Sequence, residues 1–201
     1  MASTPPLPDW IRNAEVAGYA TAHRLCPEET RLFGTESLYG DWNGRVLLLA
    51  KDFGPSEILH HRIASGDTRP YRHEPGMRTN RQLQRLAEPF LEQGLLYGSA
   101  LGNLLRDDDT VSGALPNREA ALAYGTRVFR FTIQCMPNLR WIVCMGAEAW
   151  ECACGARELV GDWEEHRRSG EPLGPLIATY HPAARIPHEV MARPWRALTA
   201  S

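Results

Sequence analysis

The stretch RVLLLAKDFGPSE, residues 45–57, is the clearest indication of the fold class. Its first half is a continuous aliphatic run, RVLLLA (45–50), and its second half is polar and carries Gly54 and Pro55. A short apolar run ended by glycine and proline is typical of a strand buried on both faces of a parallel sheet. RWIVCMG (140–146) repeats this pattern and ends at a glycine. We therefore predict two central, parallel strands.

Helical patterns alternate with these strands. They cover TNRQLQRLAEPFLEQG (79–94), 117–136 and 147–159, and Thr79 and Asn117 are candidate N-caps. Further strands are predicted near GSALGN (98–103) and at GPLIATYH (174–181). Alternation of this kind predicts an α/β protein, a three-layer α/β/α sandwich around a central, mostly parallel four-stranded sheet. The first forty residues, rich in proline near the start, are predicted to be a helical lead-in.

The composition fits one ordinary globular domain spanning residues 1–201, because 201 residues with 43% hydrophobic content can build one sizeable core. No apolar run reaches the roughly 18 residues that span a bilayer, and no secretory pattern opens the chain. We therefore expect a cytoplasmic monomer without membrane contact. The five cysteines are not spaced as paired CxxC motifs, so a disulfide framework and a zinc ribbon are both disfavoured.

The net charge of −2 gives no sign of nucleic-acid binding, but the arginines are unevenly distributed. Six lie between residues 62 and 85, and Arg185, Arg193 and Arg196 form a shorter cluster. A solvated surface explains them as well as a binding surface does, since Lys51 is the single lysine and arginine is favoured throughout the chain.

Three polar residues follow predicted strands. Asp52 follows the first, Asn103 the second and His181 the last. In open α/β sheets, ligands bind at the carboxyl ends of the strands, so these side chains are predicted to face one crevice. A lone histidine in a loop more often satisfies its own loop than takes part in catalysis. A carboxylate, an amide and an imidazole together can supply a base, a hydrogen-bond reader and a donor.

These segments resemble the uracil-DNA glycosylase superfamily. AKDFGPSE (50–57) is similar to its water-activating loop, and YHPAAR (180–185) to the His-Pro loop after its last strand. The segment 102–150 is similar to its middle part, where an asparagine precedes a Pro-Asn-Arg turn, a helix and a strand ending in glycine. The resemblance covers roughly residues 45 to 190 and depends on the order and spacing of motifs that are individually short.

The resemblance implies roles for the site residues. Asp52 would orient the attacking water and offset positive charge on the sugar, and Asn103 would read the base edge. His181 would donate a hydrogen bond to the uracil oxygen that gains negative charge. Phe53 or Tyr71 would stack on the base, and Gly54 would lie beside its C5 atom. The implied partner is uracil-containing DNA, single- or double-stranded.

A glycosylase flips its target base, so the resemblance also implies DNA contacts. Pro182, stiffening the turn, and Ala183, Ala184, Arg185 and Ile186 would enter or line the minor groove, with Arg185 or Ile186 as the wedge. The alternative is that Arg185 caps the loop and Ile186 packs inward. Phosphate contacts are expected from a second set of residues, namely Pro55, Ser56, Thr79 and Arg81.

The sequence departs from the family in two ways. Some branches hold an iron-sulfur cluster on four cysteines, whereas here only Cys26 lies near the N-terminus, and Arg106 and Asp107 stand near a third ligand position. We therefore expect neither cofactor nor metal. The best-known branch has a tyrosine that excludes thymine at the position of Gly54, so glycine predicts a wider pocket.

Two other functions stay open. One is a nucleic-acid or nucleotide-binding module of the same fold that has lost its chemistry, with Asp52 as a loop cap. The other is a metal hydrolase using His60, His61, Asp52 and His181. Adjacent histidines do not form the i, i+4 helical pair that such sites use, which disfavours the hydrolase.

Overall fold

A computed structural model describes residues 4–28, 38–67, 74, 76–107, 114–155, 168–170 and 174–199. Its α-helices are α1 (Asp9–Arg12), α2 (Ala22–Leu25), α3 (Ser56–Ala64), α4 (Arg78–Ala87), α5 (Arg118–Gln134), α6 (Ala147–Cys154) and α7 (His188–Ala192). Its strands are β1 (Tyr19–Thr21), β2 (Val46–Ala50), β3 (Leu95–Ser99), β4 (Leu104–Arg106), β5 (Trp141–Met145), β6 (Arg168–Gly170) and β7 (Gly174–Thr179). Short 3-10 segments follow α4 and α7, at Glu88–Gln93 and Pro194–Thr199.

The main sheet has the strand order β3-β2-β5-β7-β6. The first four strands are parallel, which confirms the predicted four-stranded parallel core of an α/β sandwich. Strand β6 adds an antiparallel edge that the sequence did not predict, since Arg-Ser-Gly carries no apolar pattern. The two runs that motivated the prediction, β2 and β5, are neighbours at the centre of the sheet.

Both faces of the sheet are covered. Leu47 and Leu49 of β2 belong to an apolar cluster that includes residues of α5 and α6. Val46 and Leu48 point to the opposite face, where their cluster includes α4 and the C-terminal segment. Each of these four side chains is at most 1% exposed, and burying one contributes about 2 kcal/mol to stability. The alternation explains why β2 has no polar position.

Several predicted boundaries are wrong by a few residues. Strand β3 ends at Ser99, and residues up to Asn103 form a turn in which Gly102 adopts φ 62°. Thr79 lies inside α4, so it does not cap the helix, and the 79–94 pattern changes to a 3-10 segment at Glu88, beside Pro89, which has no N–H to continue the helix. Asn117 occupies the N-cap position of α5 in a left-handed conformation, without a side-chain capping bond.

The N-terminal lead-in is only partly helical. Helices α1 and α2 are single turns, and β1 between them pairs antiparallel with β4 in a separate two-stranded sheet. Residues 29–37 of the lead-in and 156–159 of the third predicted helix lie outside the described residues. Among the described helices, none combines the length and apolarity needed to cross a membrane.

Candidate active site at the carboxyl edge of the sheet

Loops after β2, β5 and β7 form the carboxyl edge of the sheet. Asp52 follows β2 and His181 follows β7, and β5 lies between these two strands. The β5 loop begins with Gly146, which has φ 102° and whose amide donates to the Thr179 carbonyl at 3.0 Å. A Cβ built on Gly146 would lie 3.6 Å from the Cβ of His181. The intervening loop thus passes beside His181 without placing a side chain of its own there.

Asp52 is held by its own loop and by β4. Its Oδ1 accepts a hydrogen bond from the amide of Gly54 at 3.0 Å, and its Oδ2 lies 3.3 Å from Nε of Arg106. Arg106 is 1% exposed and Asp52 is 13% exposed, so this ion pair is largely shielded from water. The backbone of Arg106 also donates to the Gly54 carbonyl at 3.2 Å and bridges Pro55.

Arg106 is therefore a site residue whose role sequence reasoning missed. The signal was an arginine that ends the apolar strand segment LLR, where a buried cation requires an anionic partner. Nothing in the local pattern identifies that partner as Asp52. A second missed residue is the buried Ser99, whose hydroxyl donates to the Lys51 carbonyl at 3.2 Å and thereby ties the end of β3 to the Asp52 loop.

His181 is fixed by the turn that follows it. The amide of Ala183 donates to Nδ1 of His181 at 3.1 Å, and the amide of Ala184 donates to the His181 carbonyl at 2.8 Å. An Nδ1 that accepts a bond carries no proton, so the neutral ring carries its proton on Nε2. Burial lowers the pKa of His181 below its usual 6.5, helped by Lys51 and opposed by the charges of Asp52 and Glu148. His181 is thus a neutral donor at pH 7.

Asn103 follows the carboxyl end of β3, but its side chain points into the protein interior, so it does not present its amide to a base as predicted. Its side chain is fully buried, and its amide nitrogen donates to the Ile11 carbonyl at 3.0 Å. The same nitrogen lies 2.9 Å from Nδ1 of His23. The hydroxyl of Tyr124 donates to its Oδ1. The turn after β3 directs the amide into the interface between the N-terminal lead-in and α5, so Asn103 has a structural role.

The predicted DNA contacts divide into buried and exposed residues. Residues that are buried or pack inward are poor contacts for DNA, and they are Pro55, Ser56, Pro182, Ala184 and Ile186. Pro55 bridges Arg106 and Ser56 is 6% exposed, and their predicted phosphate contacts stay a prediction. Residues with exposed or half-buried side chains are Thr79, Arg81, Ala183 and Arg185. Of the two proposed wedges, Ile186 packs against the core and Arg185 remains.

Phe53 and Gly54 complete the loop. The half-buried ring of Phe53 contacts three apolar clusters, and its centroid lies 5.9 Å from that of Tyr97. These contacts restrain the ring. Gly54 has φ 93°, and a Cβ built on it would meet nothing within 4 Å. The space beside Gly54 is therefore open, and the wider pocket stays a prediction. Tyr71 lies outside the described residues.

The arrangement shows no preference for a metal. Within the described part of the chain, no three histidine, cysteine or acidic side chains are grouped as metal ligands. His60 and His61 are exposed on α3. All five cysteines are free thiols.

No protein-family model matches the chain, and no curated protein matches its sequence. The resemblance of the loops after β2 and β7 to those of uracil-DNA glycosylases thus stays a prediction. The groups that this edge offers for chemistry are a fixed carboxylate, a neutral imidazole donor and an open position beside Gly54.

A separate cavity of about 550 Å³ lies on the N-terminal side of the molecule. Its lining comes from residues between Asp9 and Pro27 and includes Thr21 and His23. None of these residues follows a strand of the main sheet, and none is a predicted site residue. The cavity is large, but size alone does not indicate a reaction. We therefore place the candidate active site at the carboxyl edge, where Asp52 and His181 supply reactive groups.

Proposed function

We propose that this protein is a DNA glycosylase that hydrolyses the N-glycosidic bond of uracil in DNA and leaves an abasic site. The observation that carries the proposal is the presence of Asp52 and a neutral His181 at one sheet edge, separated by the glycine loop of β5. The proposal places a monomeric enzyme in the cytoplasm, with uracil-containing DNA as its partner.

Asp52 acts on the water in this proposal. Its Oδ2 is buried against Arg106, which leaves Oδ1 as the oxygen that a water can reach. A carboxylate oxygen accepts more than one hydrogen bond, so the bond from Gly54 does not occupy Oδ1 fully. As the bond between C1′ and N1 breaks, the water oxygen bonds to C1′, and Asp52 takes the water proton. The negative carboxylate also offsets positive charge on the sugar.

His181 acts on the leaving base. The bonding electrons pass to the uracil ring, where negative charge collects on N1 and on a carbonyl oxygen. A donor already in place stabilises that charge without reorganising in the transition state. The bond from Ala183 to Nδ1 fixes the ring so that the Nε2 proton supplies this donor. A neutral imidazole polarises the oxygen without transferring its proton in advance.

Base flipping requires a contact that holds the vacated stack. Ala183 and Arg185 are exposed in the turn after His181, while Pro182 and Ile186 anchor that turn to the protein. Arg185 is thereby presented on a rigid support beside the site. Insertion of its side chain into the minor groove would stabilise the open stack.

One observation favours a second candidate, a nucleic-acid-binding module without chemistry. Both oxygens of Asp52 already have partners within the protein, Gly54 and Arg106, as expected of a loop cap. Such a module would bind DNA and release no base.

The two candidates are separated by base release. The purified protein is incubated with a uracil-containing oligonucleotide in chelator, and the DNA is then cleaved at abasic sites with alkali. The glycosylase predicts cleavage at the uracil position alone, with an identical thymine-containing strand left intact. Binding of the oligonucleotide without cleavage would favour the module. Activity that is lost in chelator and restored by a divalent cation would instead favour the metal hydrolase.

A further inference from the structure

Helix α4 presents three arginines on one side. Arg78, Arg81 and Arg85 are spaced i, i+3 and i+7, so at 3.6 residues per turn they fall within about 60° of the helix surface. All three are exposed, while Leu83 and Leu86 on the opposite side are buried against the sheet. We call Arg78, Arg81 and Arg85 the arginine stripe.

The stripe begins beside the candidate active site. Helix α4 leads through a 3-10 segment into β3, and a helix preceding a parallel strand runs antiparallel to it. The first turn of α4, with Arg78 and Arg81, therefore lies at the carboxyl edge. Gln82 of α4 lies 2.9 Å from Nδ1 of His188 in α7, which follows the Arg185 loop. The stripe and that loop are thus neighbouring surfaces.

The charges of the stripe do not stabilise the helix electrostatically. Arg78 and Arg81 stand at the N-terminal, positive end of the helix dipole, where cations are unfavourable, and the first turn has no acidic residue. Within the described residues, none of the three arginines forms an ion pair, whereas Arg62 bonds to Glu74 at 2.9 Å. Arg81 uses one of its donors on the Gly76 carbonyl at 2.8 Å.

We propose that the arginine stripe binds the phosphodiester backbone of DNA flanking the base held at Asp52 and His181. Its location relative to the damaged base rests on the proposed function. Its chemistry rests on charge, since three guanidiniums on one line match a line of phosphates. Successive stripe residues rise by about 4.5 and about 6 Å along the helix. One DNA strand advances about 3.4 Å per phosphate, so each arginine reaches a separate phosphate.

The test compares two triple variants that remove the same charge. One is Arg78→Gln with Arg81→Gln and Arg85→Gln, and the matched control is Arg45→Gln with Arg130→Gln and Arg140→Gln. Arg45 and Arg140 are exposed at the amino ends of β2 and β5, and Arg130 is exposed on α5, across the sheet. Binding of an undamaged duplex is measured by fluorescence anisotropy over a range of salt concentrations.

Each phosphate contact contributes about 0.9 to the slope of log binding constant against log salt. The stripe variant is expected to lose between about 2 and 3 from this slope, with the control within about 0.5 of wild type. The thermal midpoint of the stripe variant should equal or exceed that of wild type, because Arg78 and Arg81 oppose the helix dipole. An unchanged slope, or equal losses in both triple variants, would overturn the proposal.

The experiments distinguish failure of the proposed phosphate contact from failure of the proposed glycosylase activity. If wild type releases uracil but the salt slope of the stripe variant is unchanged, only the proposed role of the arginine stripe is overturned. A stripe-dependent slope without uracil release overturns the glycosylase and leaves a DNA-binding surface on α4.

Discussion

At the scale of single residues, the site is defined by hydrogen bonds that fix protonation and position. The amide of Ala183 assigns the proton of His181 to Nε2, and Arg106 holds one oxygen of Asp52. Both contacts lie within the protein itself, so both groups are preorganised by the fold. Preorganised groups lower the barrier because they need not reorganise during the reaction.

The pH dependence follows from the lowered pKa of His181. Burial disfavours the charged ring, and a proton on Nδ1 would break the bond from Ala183, so we expect excision to persist down through pH 6.5 and to decline at lower pH. Single-turnover rates against pH measure this limb, and His181→Gln should lose it. The free energy of unfolding depends on pH in the same direction, because the ring has a higher pKa in the unfolded chain and is protonated there first as the pH falls. The contribution of His181 is present above 6.5 and is lost as the pH falls. An acid limb centred above 6.5 would contradict the assignment.

Glycine at position 54 predicts that the enzyme accepts bases with a substituent at C5. A Cβ at this position would meet nothing within 4 Å, so we expect excision of 5-hydroxymethyluracil as well as uracil. The measurement compares release of uracil, 5-hydroxymethyluracil and thymine by wild type, with Asp52→Asn as the control for contaminating activity. Gly54→Tyr is unsuitable as the test, because φ 93° strains any side chain there. Release of uracil alone would show that another side chain closes the pocket.

At the scale of elements, the loop after β7 combines anchored and exposed residues. Pro182 is buried and Ile186 packs against the core, while Arg185 projects into solvent. The loop can therefore present one charged side chain without ordering a flexible segment, which would reduce the entropy cost of binding the proposed DNA partner.

Arg185→Ala should slow excision from duplex DNA by about 10-fold, or about 1.4 kcal/mol, and should affect single strands less. Only a duplex has a stack to hold open. Excision from both substrates is compared with that of Arg140→Ala, which removes an exposed arginine at the opposite edge of the sheet. Equal losses on the two substrates would reduce Arg185 to a phosphate contact.

The elements that the sequence predicts best are those whose environment is uniform. Strands β2 and β5 are buried on both faces, so every residue in them is apolar and their bounds were predicted within one residue. Strands β1 and β6 are three residues long and carry no such pattern. The pairing of Asp52 with Arg106 and the burial of Asn103 depend on contacts between distant segments, which no local spacing specifies.

At the scale of the whole molecule, the N-terminal lead-in is joined to the sheet by a buried polar network. Asn103 connects Ile11 and His23 of the lead-in to Tyr124 of α5. Buried polar groups are costly when one partner is removed, because the others lose their bonds without gaining water. This network therefore contributes to the attachment of the lead-in.

Asn103→Ala should lower the free energy of unfolding by about 3 kcal/mol, since it leaves His23 and Tyr124 without their buried partner. Denaturant unfolding measures this loss against Asn138→Ala, which removes an exposed amide and should cost less than about 0.5 kcal/mol. Wild-type stability combined with a large loss of excision would restore Asn103 as a reader of the base.

We propose that Asp52 and His181 act on one base in one transition state. The direct measurement is the single-turnover rate of uracil release by wild type, Asp52→Asn, His181→Ala and the double variant, with folding checked by circular dichroism. Folding matters because Asp52→Asn removes the charged partner of buried Arg106. We predict that each single variant, folded, loses about 100-fold or more, and that the double variant loses less than the product of the two. A folded single variant that releases uracil at the wild-type rate would contradict the account.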